Sequence, residues 1–462
     1  MKSYIDREPS NQYSSTNAWN VNLNNGNVNN NTKTNPYYLR VVSGFCDMPE
    51  SPEMRDFLDF ASSFVDAYKK CLSNKRSNPN ASFYALRGLT STVALAEDVW
   101  TGRYEISPGI IFVVLHPVPR EVCAATFRDR IVHTWVMAAF EPILEALFPD
   151  AITANRKGRG TLGAITLLDE RVRVMSENYT RKDLWVYTTD YQGFFMGLDK
   201  RVVNTEAMRL IDEHYTGRWK EMVKRLFTMI TFNRPQDSAR RRSPDELWRL
   251  IPKNKSLYHC DRWHGLAIGN LPSQWSACMV TNLALRIFER HGIGIDEVVS
   301  YMDDTAIIIR DKAAFLREIS DIERELRSEL SITLHPRKRN LQHYTKGWKI
   351  VGGKGRMGRL YASDRSIRRF RSKMHYLTHH AHDVQAVVNS FNSYCGLLSK
   401  FRTRKVREQI GREILDEYGD ELFIVGEWKK AVIKKKYNAR SAAAMRIRLA
   451  RSVNRRRLMA AA

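Results

Sequence analysis

Val298-Val299-Ser300-Tyr301-Met302-Asp303-Asp304-Thr305-Ala306-Ile307-Ile308-Ile309 reads as two short strands joined by a polar turn. Val and Ile dominate both flanks, as pleated, buried strands prefer. The turn would hold two carboxylates at the tip of an apolar hairpin, which is costly unless water or cations solvate them. An Asp-Asp turn on its own also fits an ordinary polar turn, where Asp is common. Upstream, residues 184–189 are apolar and β-branched and read as a strand ending at Asp190, followed by Tyr191-Gln192-Gly193-Phe194-Phe195. Asp199 opens the next helical stretch and suits a helix N-cap, so the catalytic role goes to Asp190. Asp190, Asp303 and Asp304 together are a donor set for two Mg²⁺ ions (or Mn²⁺) held roughly 3.5–4 Å apart, the arrangement used for nucleotidyl transfer.

The pattern spreads outward from these acids. Residues 54–102 have apolar spacings of three and four, as in Phe57, Phe60, Phe64 and Tyr68, and predict helices. A strand at 110–115 is followed by a helix over 132–148, broken at Pro142. A helix is expected over 200–227, then a surface loop or insertion over 233–263, where Pro235, Pro244, Pro252 and three consecutive arginines fall. Helix returns over 273–289. Phe315, Ile319, Ile322, Leu326 and Leu330 form an amphipathic stripe, with a strand expected at 332–334. Strand, helix, strand, strand, helix, strand is the order of a ferredoxin-like sheet with helices on one face. Beyond Ser363 the chain reads as mostly helical.

The formal net charge of +24 points to a polyanionic partner, and nucleic acid fits better than a membrane because no lipidation signal accompanies it. From Trp428 onward there are twelve Lys or Arg and no acid, which reads as an RNA-binding arm or a surface for an accessory protein. No apolar run approaches a membrane span, and the first residues lack the apolar core of a secretory signal. Six scattered cysteines without a CxxC pair favour a reducing cytosol over a disulfide framework or zinc ribbon. His375, His379, His380 and His382 cluster at spacings compatible with a metal, but the sequence shows no carboxylate or cysteine set to join them, so a solvated helix face is expected. Between Asn11 and Asn35 lie eleven asparagines, a composition that favours disorder.

Tyr301-Met302-Asp303-Asp304 on a hairpin, preceded by Asp190 and its Phe-Phe pair, closely resembles the palm of reverse transcriptases, and the resemblance runs from Phe57 to Arg402 with the motifs in the family's order. It implies an α+β right-hand polymerase with fingers, ferredoxin-like palm and short helical thumb. Implied divisions are an Asn-rich segment 1–45, N-terminal helices and fingers 46–180, palm 181–345, primer grip and thumb 346–427, and a basic tail 428–462. Pro117-Val118-Pro119-Arg120-Glu121 resembles the fingers motif whose arginine, here Arg120, contacts the incoming triphosphate. Asn155-Arg156-Lys157-Gly158-Arg159-Gly160-Thr161 resembles the second fingers motif, which implies template contact by Arg156, Lys157 and Arg159; read alone, such a loop is more often a solvated turn than a binding loop. His335-Pro336-Arg337-Lys338 resembles the motif whose lysine, here Lys338, protonates pyrophosphate. Lys346-Gly347-Trp348 resembles the primer grip, and Asn392-Ser393-Tyr394-Cys395-Gly396-Leu397-Leu398 a thumb helix of bacterial members. Tyr191 falls at the nucleotide site and Phe195 at the steric gate that excludes a ribose 2′-hydroxyl, with core packing as the plain alternative for Phe195.

One departure narrows the resemblance. In Ile268-Gly269-Asn270-Leu271-Pro272-Ser273-Gln274, Ile268 stands where most reverse transcriptases have glutamine, and Gln274 where they have proline. This form resembles the enzymes of diversity-generating retroelements, which copy a template-repeat RNA while misincorporating opposite adenine. The implied nucleotide-site residues are then Arg120, Tyr191, Phe195, Ile268, Gly269 and Gln274. The implied partners are a structured template RNA, the RNA/cDNA duplex, dNTPs and a small basic accessory variability protein, in a bacterial or phage-encoded cytoplasmic setting. Asparagine codons are adenine-rich, so residues of about 10–42 fit a translated template repeat, against a low-complexity tail or an RNA-binding arm. Other readings are a phage-defence or retron-type reverse transcriptase without targeted mutagenesis, and a non-catalytic RNA-binding scaffold. No RNase H, endonuclease or integrase segment is visible.

Overall fold

A computed structural model describes residues 52–73, 79–115, 118–381 and 383–434. The Asn-rich segment and the tail beyond Lys434 lie outside the described residues. The chain divides at Leu58; of the first unit only residues 52–58 are described, as the opening turns of helix α1, Pro52–Ser73.

The second unit begins with the rest of α1, then α2 (Pro79–Ala85) and α3 (Gly88–Trp100). Strands β1 (Ile110–Val114) and β2 (Arg120–Ala124) pair as an antiparallel hairpin. Helix α4 (Phe127–Leu147) starts five residues before the expected Val132, because the Thr126 side chain caps it by accepting from the Asp129 N–H at 3.2 Å. Nor does Pro142 break it. The proline removes one backbone bond, but Phe140 and Leu144 on either side are fully buried and hold the helix in place. Helix α5 (Gly160–Met175) leads to β3 (Trp185–Asp190).

The single helix expected over 200–227 is two, α6 (Lys200–His214) and α7 (Lys220–Phe232). Tyr215 turns extended at α6's end, and Trp219 enters an aromatic cluster with Phe60 and Trp135 at ring distances of 5.5 and 6.3 Å. Packing sets that boundary. The segment 233–263 is likewise not a surface loop throughout. Its short strand β4 (Arg240–Arg241) pairs in parallel with β1, and Leu257 is buried. Buried Glu121 holds it, accepting from the Ser256 hydroxyl at 2.5 Å and the Leu257 N–H at 2.8 Å.

Helix α8 (Leu271–Arg290) precedes the hairpin β5 (Val298–Tyr301) and β6 (Asp304–Ile309), then α9 (Lys312–Leu330). Asp311 caps α9 by accepting from the Ala314 N–H at 2.9 Å, and Phe315, Ile322, Leu326 and Leu330 are its buried stripe. The strand expected at 332–334 is only a single bridge, Leu334 to Tyr191, and the fourth sheet strand is β7 (Asn340–His343). The sheet order is β5-β6-β3-β7, every neighbour antiparallel. Both faces are covered. Val186, Val299, Ala306 and Ile308 share one core cluster with α5 and the C-terminal helices, while on the other face Tyr187 packs its ring 5.0 Å from Phe315 of α9. That is why this sheet reads as continuous apolar runs rather than clean alternation.

A second small sheet follows, β8 (Trp348–Ile350), β9 (Gly353–Arg356) and β10 (Arg359–Ala362). Then come α10 (Asp364–Tyr376), a π-helical turn Leu377–Ala381, α11 (Val384–Leu398), α12 (Arg404–Tyr418) and the hairpin β11 (Leu422–Val425) with β12 (Lys430–Ile433). The last strand lies inside the basic stretch expected to be a tail. Ala431 is buried, and the Asn392 side chain accepts from its N–H at 2.7 Å and donates to its carbonyl at 2.9 Å. Helices α10–α12 and this hairpin therefore share one core with the sheet, and residues 428–434 of the expected tail belong to the folded body.

Candidate active site

Sheet register brings the three acids together. Asp190, last residue of β3, is directly opposite Asp304, first residue of β6, and Asp304 is opposite Tyr301 of β5. Met302 and Asp303 form the two-residue turn between β5 and β6, with Met302 at φ +55°, the sign a II′ hairpin turn needs at its first central position. The Tyr191 N–H donates to the Asp303 carbonyl at 3.0 Å, and the His335 N–H to the Asp190 carbonyl at 2.7 Å, so the tip is braced from both sides. The edge strand is pinned as well: Ser300 donates its N–H to Ala151 and accepts from the Thr153 N–H and hydroxyl, at 2.8, 3.0 and 2.8 Å.

The carboxyls crowd one another. Asp190 is 8% exposed, and its Oδ1 is buried without a hydrogen-bond partner among the described residues. Its Oδ2 accepts from the Lys338 ammonium, whose stem is solvent-exposed. Burial, then the Asp190 and Asp304 charges, push the Asp303 carboxyl up to about 7. Asp303 sits at an exposed turn, so the like-charge crowding is the firmer of those causes. Burial and the Asp190 charge push Asp304 up to about 6, against the opposing Lys338 charge and the Val351 N–H bonded to its carboxylate. An all-oxygen donor set with one orphaned carboxylate oxygen and an excess of negative charge fits hard divalent cations such as Mg²⁺ or Mn²⁺. Asp199 bonds elsewhere, capping α6 by accepting from the Arg201 N–H at 2.7 Å and pairing with the Arg201 guanidinium.

The residues assigned to a nucleotide pocket partly converge. Phe195 and Ile268 pack on one cluster formed by Ile111, Cys123, Met196 and Leu257. Ile268 accepts from the Cys123 N–H at 2.7 Å, and Gly269 follows at φ +111°, where a Cβ would lie 2.6 Å from the Cys123 carbonyl oxygen. Glycine is required there on both counts. Arg120 is exposed at the start of β2, and Gln274 is half-buried in the first turn of α8. Tyr191 is 2% exposed with its ring stacked 5.2 Å from Phe194, so it presents backbone rather than ring to the site. Sequence reasoning missed the part played by 233–263, whose Leu257 and Cys260 join this apolar cluster; proline and arginine content masked it.

Among the residues assigned to template and primer, the structure separates groove-facing from structural ones. Arg156 is held inside the protein, donating to Glu145 at 2.9 Å and to the Pro149 carbonyl at 2.7 Å. Arg159 pairs with Asp150 at 2.5 Å, whereas Lys157 is exposed. Trp348 is a core residue, 2% exposed, because its indole lies over Gly355, where any Cβ would collide with the ring. Lys346, Gly347 and Trp348 nevertheless all line an open hollow with Lys349, Lys354 and Arg356, with a volume of about 220 Å³. Of the histidine cluster, His382 lies outside the described residues; His375 and His379 meet Glu413, a partner 34 residues from the nearer one and invisible to local spacing.

No helix among the described residues is long and apolar enough to cross a membrane. No protein-family model matches the sequence, and no curated protein matches it. Among solved structures, the chain is similar to a Candida albicans telomerase in complex with a fragment of telomeric RNA, at 9% identity and TM-score 0.39 over 68% of this chain and 59% of that one. It is also similar to apo telomerase from Candida tropicalis, at 11% identity and TM-score 0.41 over 68% of this chain and 56% of that one. The chain thus spans less than two thirds of the telomerase chains it resembles.

Proposed function

We propose that this protein is an RNA-directed DNA polymerase, a reverse transcriptase with β3, β5–β7 and α9 as its palm. The observation that supports this most is the register that sets Asp190 against Asp304 with Asp303 at the adjoining turn. A binding scaffold gains nothing from three crowded carboxyls whose repulsion opposes folding. Asp190, Asp303 and Asp304 would hold two Mg²⁺ ions, which when bound lower the pKa of a primer 3′-hydroxyl and neutralise the leaving pyrophosphate. Lys338, already against Asp190, holds a proton within reach of that leaving group. Arg120 suits a bidentate contact to the triphosphate, and the Phe195 ring bounds the sugar side of the pocket.

The finer reading is a mutagenic enzyme of a diversity-generating retroelement, copying a structured template RNA with a small basic accessory protein. It is supported by Ile268, a half-buried aliphatic side chain packed with Phe195 at the position where a glutamine would orient the incoming nucleotide. Primer extension on an RNA template with dNTPs and Mg²⁺, using wild type and Asp303→Asn, tests the core of the proposal. Wild type should extend, and the variant should lose extension while binding RNA in a filter assay. Extension by Asp303→Asn within a few-fold of wild type refutes the assignment.

A further inference from the structure

Away from the three acids, α10, its π-helical turn and α12 bring two imidazoles and a carboxylate to one point. His375 Nδ1 lies 2.8 Å from Glu413 Oε1, and His379 Nε2 lies 3.0 Å from the same oxygen. All three candidate ligand atoms are within 4.8 Å of one another, the one such His/Cys/Asp/Glu group found among the described residues. The imidazole rings meet edge to face at 4.6 Å, so each points a nitrogen at the carboxylate without blocking the other. His379 falls in the widened turn Leu377–Ala381; such π turns inside α-helices recur at functional sites.

We propose that His375, His379 and Glu413 bind a divalent transition-metal ion of the zinc class and thereby staple α10 to α12. Metal–ligand bonds of roughly 2.0–2.2 Å in a tetrahedron place ligand atoms a little over 3 Å apart, close to the two imidazole–carboxylate separations here. Two imidazole nitrogens and one carboxylate oxygen select a borderline metal such as Zn²⁺ over Mg²⁺ or Ca²⁺, which take oxygen sets. His380 turns its ring to Tyr376 at 5.6 Å and is not one of the three converging groups. None of the three ligands belongs to the polymerase site, so the inference stands apart from the proposed activity.

Full-length protein is stripped with chelator, loaded with Zn²⁺, dialysed and assayed for metal, with Co²⁺ as an optical probe in parallel. Wild type should retain about one equivalent of Zn²⁺, show a visible Co²⁺ band that Zn²⁺ bleaches, and melt higher with Zn²⁺ than without. His379→Gln and Glu413→Gln should lose all three responses, while Asp303→Asn keeps them. Retention of zinc in either ligand variant at the wild-type level overturns the proposal. So does a wild type that retains none, which would leave the cluster as a hydrogen-bonded trio.

Discussion

Asp190 and Asp304 face each other across adjacent antiparallel strands, and Asp303 joins them from the turn, so folding brings Asp190 against an acid pair from which the unfolded chain keeps it apart. Folded carboxyls near 7 and 6 bind protons that unfolded ones release near 4. Between about pH 4 and 7 the metal-free native state is the more protonated, so this site's contribution to stability falls as pH rises through that window. Metal-free wild type should therefore lose melting temperature relative to Asp303→Asn between pH 5 and 8. The difference at pH 8 should be on the order of 1 kcal/mol once solvent screening at the turn is allowed for. Mg²⁺ at pH 8 should raise the wild-type melting temperature and leave the variant's almost unchanged. Parallel pH profiles for the two proteins would refute carboxylate crowding.

Val351 carries a second strain next to the same acid. With Gly352 it makes the two-residue turn between β8 and β9, both at positive φ, +47° and +75°. A β-branched residue is poorly suited to that region, while Asn-Gly is the favoured pair for a I′ turn. Its N–H favours the charged form of the Asp304 carboxyl, so the turn's backbone should be kept even if its side chain is not. Val351→Asn should stabilise the protein by about 1 kcal/mol and leave primer extension intact. Thermal melts and extension rates on the same preparation check both halves. A stability gain accompanied by lost extension would mean that the valine side chain itself serves the site.

How far sequence reached depended on whether the signal was local. The β5–β6 hairpin, the Asp190 strand and the α9 stripe are written in period and propensity, and they fall within a residue or two of expectation. What escaped was decided by tertiary partners. Lys430–Ile433 reads as part of a basic tail until Asn392 supplies the hydrogen bonds that make it a strand. Trp348 reads only as a groove residue, yet Gly355 opens room that buries most of its indole while it still lines the hollow beside Lys346. Residues 233–263 read as loop, yet Glu121 of β2 anchors them to the sheet that their own strand β4 joins.

That last strand changes where the basic arm can be removed. Ending the chain at Trp428 takes away β12 and leaves Asn392 with an unpaired donor and acceptor, each worth about 1–3 kcal/mol when buried. Ending it after Lys434 keeps the strand and the Lys434 N–H bond to the Glu421 carbonyl at 2.9 Å. Nine Lys or Arg are still lost beyond that point. The shorter product should melt well below wild type, while the longer one should melt within a few degrees of it. The longer product should bind RNA more weakly, with a log–log salt slope reduced by about 0.7 for each lost phosphate contact. An unchanged slope would assign those nine charges to a protein partner.

Error rate tests the finer functional reading. Ile268 packs with Phe195 on one apolar cluster, and its backbone is fixed by the bond from Cys123, so a side-chain change there should alter the local surface without moving the loop. An aliphatic group cannot supply the hydrogen bond that glutamine would offer an incoming nucleotide. Such a bond is worth on the order of 1 kcal/mol, about five-fold in discrimination, so Ile268 is one contributor to error rather than its whole source. Ile268→Gln should lower misincorporation opposite adenine several-fold and leave total extension largely intact. Gly269→Ala is the contrast: its Cβ would lie 2.6 Å from the Cys123 carbonyl oxygen, so it should displace the loop and depress extension on every template. Sequencing cDNA made from one RNA template by all three proteins, scored by template base, separates the cases. Wild-type errors spread evenly over A, C, G and U would reject the retroelement reading and leave a reverse transcriptase of the phage-defence or retron type.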